Sequence, residues 1–82
     1  MTYRILWEPE ATNAAVRFLQ SDPSGLAAVY EAVDMLAKDP RPLNSTAYGP
    51  DIRRLRVGAY RVLYVIDDGA IRVLVTHLGR TG

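Results

Sequence analysis

The chain has no cysteine among its 82 residues. This excludes a disulfide framework and a thiolate nucleophile, and it deprives the usual zinc ligand sets of their sulfur. A small domain folding without covalent staples suits a reducing interior, so a cytoplasmic location is expected. Histidine is nearly as scarce, His77 being the only one. A two-histidine nuclease is therefore impossible. A histidine–carboxylate metal site would need acid near His77, and the strand-end pair Asp67 and Asp68 lies at the far end of the same hairpin. No metal and no cofactor are expected. The three serines, Ser21, Ser24 and Ser45, fall in helix breaks or loops, and none sits at a nucleophile elbow. A glycine-rich phosphate loop is missing too, because no helical pattern follows Gly79-Arg80-Thr81-Gly82. Long apolar runs are absent. In the C-terminal half an apolar run such as Val62–Ile66 is far too short to cross a bilayer. The opening residues reach acid at Glu8 and do not read as a signal peptide.

What is present is enough apolar material for a core and an uneven spread of charge. Hydrophobic residues make up 49%, too many for a disordered tail. The length fits one domain, residues 1–82, whose modest core leaves a thin margin of stability. The formal net charge is only +1. Yet residues 1–40 carry three basic and six acidic side chains, whereas residues 41–82 carry seven basic and three acidic. Such asymmetry points to an anionic partner for the basic half.

The hydrophobic period changes along the chain. Thr2–Leu6 reads as a strand, with Tyr3, Ile5 and Trp7 on one face. Pro9 suits the first turn of a helix running to about Gln20, with an apolar stripe of Ala11, Ala14, Ala15, Phe18 and Leu19. Asp22-Pro23 caps and starts a second helix carrying Leu26, Val29, Tyr30, Val33, Leu36 and Ala37. Asp39-Pro40-Arg41-Pro42 ends it. So short a break predicts a helical hairpin. Leu43–Pro50 reads as a loop. The period then becomes two. Ile52–Val57, a Gly58-Ala59 turn, Tyr60–Ile66, an Asp67-Asp68-Gly69 hairpin signal and Ile71–Leu78 make an antiparallel meander. The expected fold is α+β, in the order β-α-α-β-β-β. Its helical hairpin packs on one face of an antiparallel four-stranded sheet.

Chemistry concentrates in arginines on strands. Arg61 interrupts Tyr60–Ile66, which is otherwise apolar on both faces, the mark of a central strand. A guanidinium there needs either a carboxylate, such as Asp51 or Glu31, or an open cleft. Periodicity favours the cleft, because Arg54 and Arg56 share a strand face that hairpin pairing brings beside Arg61. Arg53 points to the other face. Clustered guanidiniums await an anion, and their planar forks suit phosphate.

The segment Leu55-Arg56-Val57-Gly58-Ala59-Tyr60-Arg61-Val62-Leu63-Tyr64, the Asp-Gly hairpin and the ending His77-Leu78-Gly79-Arg80 resemble the RelE/ParE superfamily of bacterial toxins. The resemblance spans nearly the whole chain and implies the toxin of a type II toxin–antitoxin module. RelE-type members are endoribonucleases that cut mRNA in the ribosomal A site. ParE-type members inhibit DNA gyrase. Both are neutralised by a small antitoxin, here one that is RelB-like or related. Carried over, the resemblance makes Arg54, Arg61 and Arg80 catalytic. Arg54 would orient the attacking 2′-oxygen, and Arg61 and Arg80 would stabilise charge on phosphate. Arg53, Arg56 and His77 are expected to bind RNA. Ile52 stands where RelE has a lysine, Thr81 where it has an arginine, and no stacking tyrosine follows the last strand. The function expected is therefore a ribosome-dependent mRNA interferase. The alternatives are a catalytically weak member that only binds antitoxin and a gyrase inhibitor.

Overall fold

The computed structural model describes residues 2–81. The order is β1 (Arg4–Trp7), α1 (Pro9–Ser21), α2 (Pro23–Met35), β2 (Ser45–Ala47), β3 (Ile52–Val57), β4 (Tyr60–Asp67) and β5 (Arg72–Arg80). Both helices begin at a proline, which has no N–H to leave unpaired in the first turn. Asp22 joins them. Its N–H closes α1 on the Phe18 carbonyl at 2.8 Å, and its Oδ1 caps α2 by accepting the Gly25 N–H at 3.1 Å. Gly25 admits this carboxylate, because a Cβ there would collide with it.

The class is as expected, but the sheet differs in two respects. Among the described residues it has five strands, in the order β1-β5-β4-β3-β2. The extra strand, β2, lies inside the segment read as a loop and pairs antiparallel with β3 at the sheet edge. β1 is parallel to β5, from Arg4↔Arg72 to Trp7↔Val75, so the sheet is mixed. Parallel strands need a long crossover, and here the two helices and the rest of the sheet supply it. The turns also differ. Gly58 has φ +57° at the first central position of the β3–β4 turn, as a type II′ turn demands. In the longer β4–β5 turn the positive φ (54°) falls on Ile71, not on Gly69, an uncommon setting for a β-branched residue.

One face of the sheet carries the core. Tyr60, Val62, Tyr64 and Ile66 of β4, Leu55 of β3, and Val73 and Val75 of β5 are buried against the helices. α1 contributes Ala11, Ala14 and Ala15, whose small side chains let it lie close to the sheet. Leu19, expected in this stripe, is exposed. α2 contributes Leu26, Val29 and Val33. Tyr30 lies outside the core and tilts against Trp7, with ring centroids 5.6 Å apart. The Tyr64 hydroxyl donates to the Pro40 carbonyl at 2.7 Å, tying the segment after α2 to the central strand. Among the described residues no helix is long and apolar enough to cross a membrane.

Candidate functional site

The other face of the sheet is open, and strand register decides what stands on it. Arg56 pairs with Arg61, which pairs with Gly79; Arg54 pairs with Leu63, which pairs with His77. These two adjacent rows bring Arg54, Arg56, Arg61 and His77 together across β3, β4 and β5. Arg56 and Arg61 face each other directly, an arrangement that costs stability through like-charge repulsion. The described ion pairs of the arginines are Arg41–Asp68 and Arg72–Asp67, so no described carboxylate neutralises Arg54, Arg56 or Arg61. Gly79 leaves open space beside Arg61, since a Cβ there would meet nothing within 4 Å.

Two shallow grooves run over this surface and share Arg54. One, of about 380 Å³, is lined by Tyr48, Arg54, Arg61, Leu63, His77 and Gly79. The other, of about 450 Å³, runs towards the edge along Asn44, Thr46, Arg54 and Arg56. The Arg54 guanidinium lies over the Tyr48 ring, 5.1 Å from its centroid. Tyr48 is 57% exposed, and its N–H is held by the Ile52 carbonyl at 2.8 Å. An exposed aromatic beside unpaired guanidiniums is the equipment of a surface that stacks bases and grips phosphates. His77 lies in β5 beyond the last residue that pairs with β1, its Nε2 3.9 Å from Glu10 Oε1. Among the described residues no cluster of three histidines or acids is placed to hold a metal ion.

A family model describing the ParE toxin of the type II toxin–antitoxin system parDE matches residues 5–82. The chain belongs to this toxin family. Solved toxins of the wider RelE/ParE superfamily share its fold. A chain of the RelBE2 toxin–antitoxin complex from Mycobacterium tuberculosis superposes with a TM-score of 0.82 at 24% identity, covering 98% of this chain and 99% of the other. A chain of the archaeal RelE–RelB complex from Pyrococcus horikoshii gives 0.77 at 27% identity, covering 100% and 98%. A chain described as a YoeB/ParE toxin from Agrobacterium tumefaciens gives 0.79 at 12% identity, covering 96% and 98%. No curated protein matches.

Within this toxin the expected site residues separate. Arg54, Arg56, Arg61 and His77 gather on the open face. Arg80 and Arg53 do not. The cause at Arg80 is a β-bulge: Leu63 pairs with His77 but Tyr64 with Val75, leaving Thr76 as an extra residue in β5. Beyond the bulge the alternation is inverted. Gly79 and His77 turn to the open face, while Leu78 and Arg80 turn to the helices. Arg80 packs its guanidinium over Phe18, 5.0 Å from the ring centroid. Phe18 in turn meets Tyr60 edge-on at 5.4 Å, and the Tyr60 hydroxyl donates to Asp22 Oδ2 at 2.8 Å. That hydroxyl, with the Gly25 N–H, holds the Asp22 carboxyl below its ordinary range. Burial, then the bond to Asp22, pushes the Tyr60 phenol up. Arg53 shares the covered face, where its Nε and Nη2 donate to Ser45 Oγ at 2.9 Å and the Ser45 carbonyl at 3.2 Å. Tyr48 was not anticipated. Its signal was an aromatic in a polar, glycine- and proline-containing segment, where no core position is on offer.

Proposed function

We propose that this toxin is an mRNA endoribonuclease acting on the ribosome, as a single domain over residues 1–82, in the cytoplasm and under the control of a RelB-like antitoxin. The observation that carries the reading is the unneutralised set Arg54, Arg56 and Arg61 on the open face, with Tyr48 beside it. A single RNA strand lies across the sheet. Its phosphates meet the guanidiniums, and a base stacks on Tyr48. Arg54 orients the 2′-oxygen by charge and hydrogen bonding, because a guanidinium is too weak a base to deprotonate it. The 2′-oxygen attacks the adjacent phosphorus, the bond to the 5′-oxygen breaks, and a cyclic 2′,3′-phosphate forms. The 2′-hydroxyl loses one proton and the departing 5′-oxygen takes one up. His77 is the imidazole at hand for that exchange. Arg61, with open space beside it at Gly79, binds the charge that builds on the phosphate oxygens. Removing one such donor typically lowers a rate by about 100- to 1000-fold. With only one imidazole and no carboxylate lining the groove, the chemistry depends on positioning, for which the ribosome supplies the frame.

Primer extension on mRNA after induced expression tests this reading. Wild-type protein should give cleavage phased to codons, and Arg61→Ala should give about 100-fold less or none. Full cleavage by Arg61→Ala sinks the mechanism. A second reading, inhibition of DNA gyrase, is favoured by the ParE description of the matching family model. It predicts an SOS response on expression with every transcript intact.

A further inference from the structure

The bulge that turns Arg80 away also builds a short hydrogen-bonded chain onto the imidazole. In a bulge two residues face one on the partner strand, which sets Thr76 and His77 together beside Leu63. Thr76 is half-buried, and its Oγ1 lies 3.2 Å from the Leu63 carbonyl oxygen. The same Oγ1 lies 3.1 Å from Nδ1 of His77. The other ring nitrogen, Nε2, faces Glu10 Oε1 at 3.9 Å. His77 thereby borders two grooves. One is the groove of Arg54 and Arg61, and the other, of about 380 Å³, is lined from α1 by Glu10, Asn13 and Arg17. The charged groups lining them beside the ring are Glu10 and Arg17 from α1, Arg54 from β3 and Arg61 from β4.

A carbonyl oxygen can only accept a hydrogen bond, and a threonine hydroxyl has one proton to give. The proton of Thr76 goes to Leu63. Its Oγ1 can then only accept from the ring, so both contacts hold at once only when Nδ1 carries the imidazole proton. We propose that Thr76 is a positioning residue: it holds neutral His77 as the Nδ1–H tautomer and leaves Nε2 as the basic nitrogen beside the arginines. The role of that nitrogen rests on the cleavage reading above; the tautomer does not. One ring nitrogen is ordinarily fixed in this way by the bond that the other makes. The tautomer matters because only an unprotonated nitrogen can receive the 2′-hydroxyl proton. Nε2 receives it as the 2′-oxygen bonds to phosphorus. The imidazolium gives one proton back as the bond to the 5′-oxygen breaks, so the ring ends as it began. Glu10 faces the Nε2 proton of that imidazolium, while Arg17, Arg54 and Arg61 oppose its charge. The Nε2–H form, which histidine free in water favours, has no lone pair at Nε2 to start the exchange.

His77 is the single histidine, so the full-length, untagged, nitrogen-15-labelled protein shows one imidazole, and NMR of its two ring nitrogens reads the tautomer directly. With the ring neutral, the wild type should carry its proton mainly on Nδ1. Thr76→Val keeps the branched shape but can neither donate nor accept, and should move the tautomer ratio about tenfold towards Nε2–H. Thr76→Ser keeps the hydroxyl and should restore the wild-type ratio, which a merely structural role for Thr76 would not require. In primer extension on mRNA, Thr76→Val should cut about fivefold less, as the competent tautomer becomes the minor one, and Thr76→Ser should recover the loss. A wild-type ring protonated mainly on Nε2 overturns the proposal, and that spectrum decides even if Thr76→Val fails to fold. A ratio that Thr76→Val leaves unchanged overturns it too, as does full cleavage by Thr76→Val once its ring has changed tautomer. If the tautomer shifts as expected but the wild type cuts no mRNA, the cleavage reading fails and the control of the ring by Thr76 stands.

Discussion

Residues 55 and 63 are both leucines on neighbouring strands of one sheet, and they live under different rules. Leu55 is 1% exposed beneath the helices. Leu63 stands on the open face between Arg54 and His77, half in water. The covered face pairs its polar groups: Arg53 with Ser45, Tyr64 with Pro40, Tyr60 with Asp22. The open face leaves three guanidiniums without a described carboxylate. One side of the sheet holds the fold, and the other keeps charge unspent for a partner. Clustering Arg56 against Arg61 weakens the isolated protein slightly, which is tolerable only because the covered face carries the stability.

The sharpest way to break this contrast is to truncate the two leucines. Leu55→Ala should destabilise by about 3 kcal/mol and Leu63→Ala by less than about 1 kcal/mol, read from urea unfolding. Equal losses would mean the faces do not differ. Acid should act next. The Asp22 and Asp68 carboxyls are both held below their ordinary range, Asp22 chiefly by the Tyr60 hydroxyl and Asp68 chiefly by the Tyr3 hydroxyl. Such groups favour the folded state above the unfolded carboxylate pKa of about 4, and that advantage fades as pH falls through the depressed values. Melting temperature should therefore drop below about pH 4, and Asp22→Asn should flatten the drop.

Arg80 provides a subtler test. Arg80→Ala should lower stability by about 1 kcal/mol, through loss of the Phe18 contact, while cleavage stays within a few fold of wild type. Loss of cleavage without loss of stability would move Arg80 back among the residues proposed to act on RNA. The smallest effect is expected at Arg56. Arg56→Gln should raise stability by a few tenths of a kcal/mol and lower the salt dependence of RNA binding by about one charge.

The elements with a strong period were legible in the residues. Pro9 and Pro23 mark both helix starts, and Ile52–Val57 is the strand that its alternation indicates. β2 was not legible, because three residues at a sheet edge, among asparagine, glycine and proline, show no alternation. The parallel pairing of β1 with β5 was hidden for another reason: its partners lie 68 positions apart and carry no local mark. The grouping of Arg54, Arg56 and Arg61 followed from parity alone. Arg80 escaped because parity holds only until a bulge, and nothing around Thr76 announces one. Proximity in sequence to His77 suggested a shared site, and one inserted residue separated the two.

The pairing of the first strand with the last also sets a timetable. β1 is made early in synthesis, but the strand it pairs with, β5, is made last. Until residues 72–80 have emerged, the first strand has no edge to join, and the sheet is incomplete. The β3–β4 hairpin, which carries Arg54, Arg56 and Arg61, can close without waiting for β5, because its contacts are local. The nascent chain therefore assembles its charge before its frame. A protein proposed to attack translation acquires a rigid working surface only once its own translation is done.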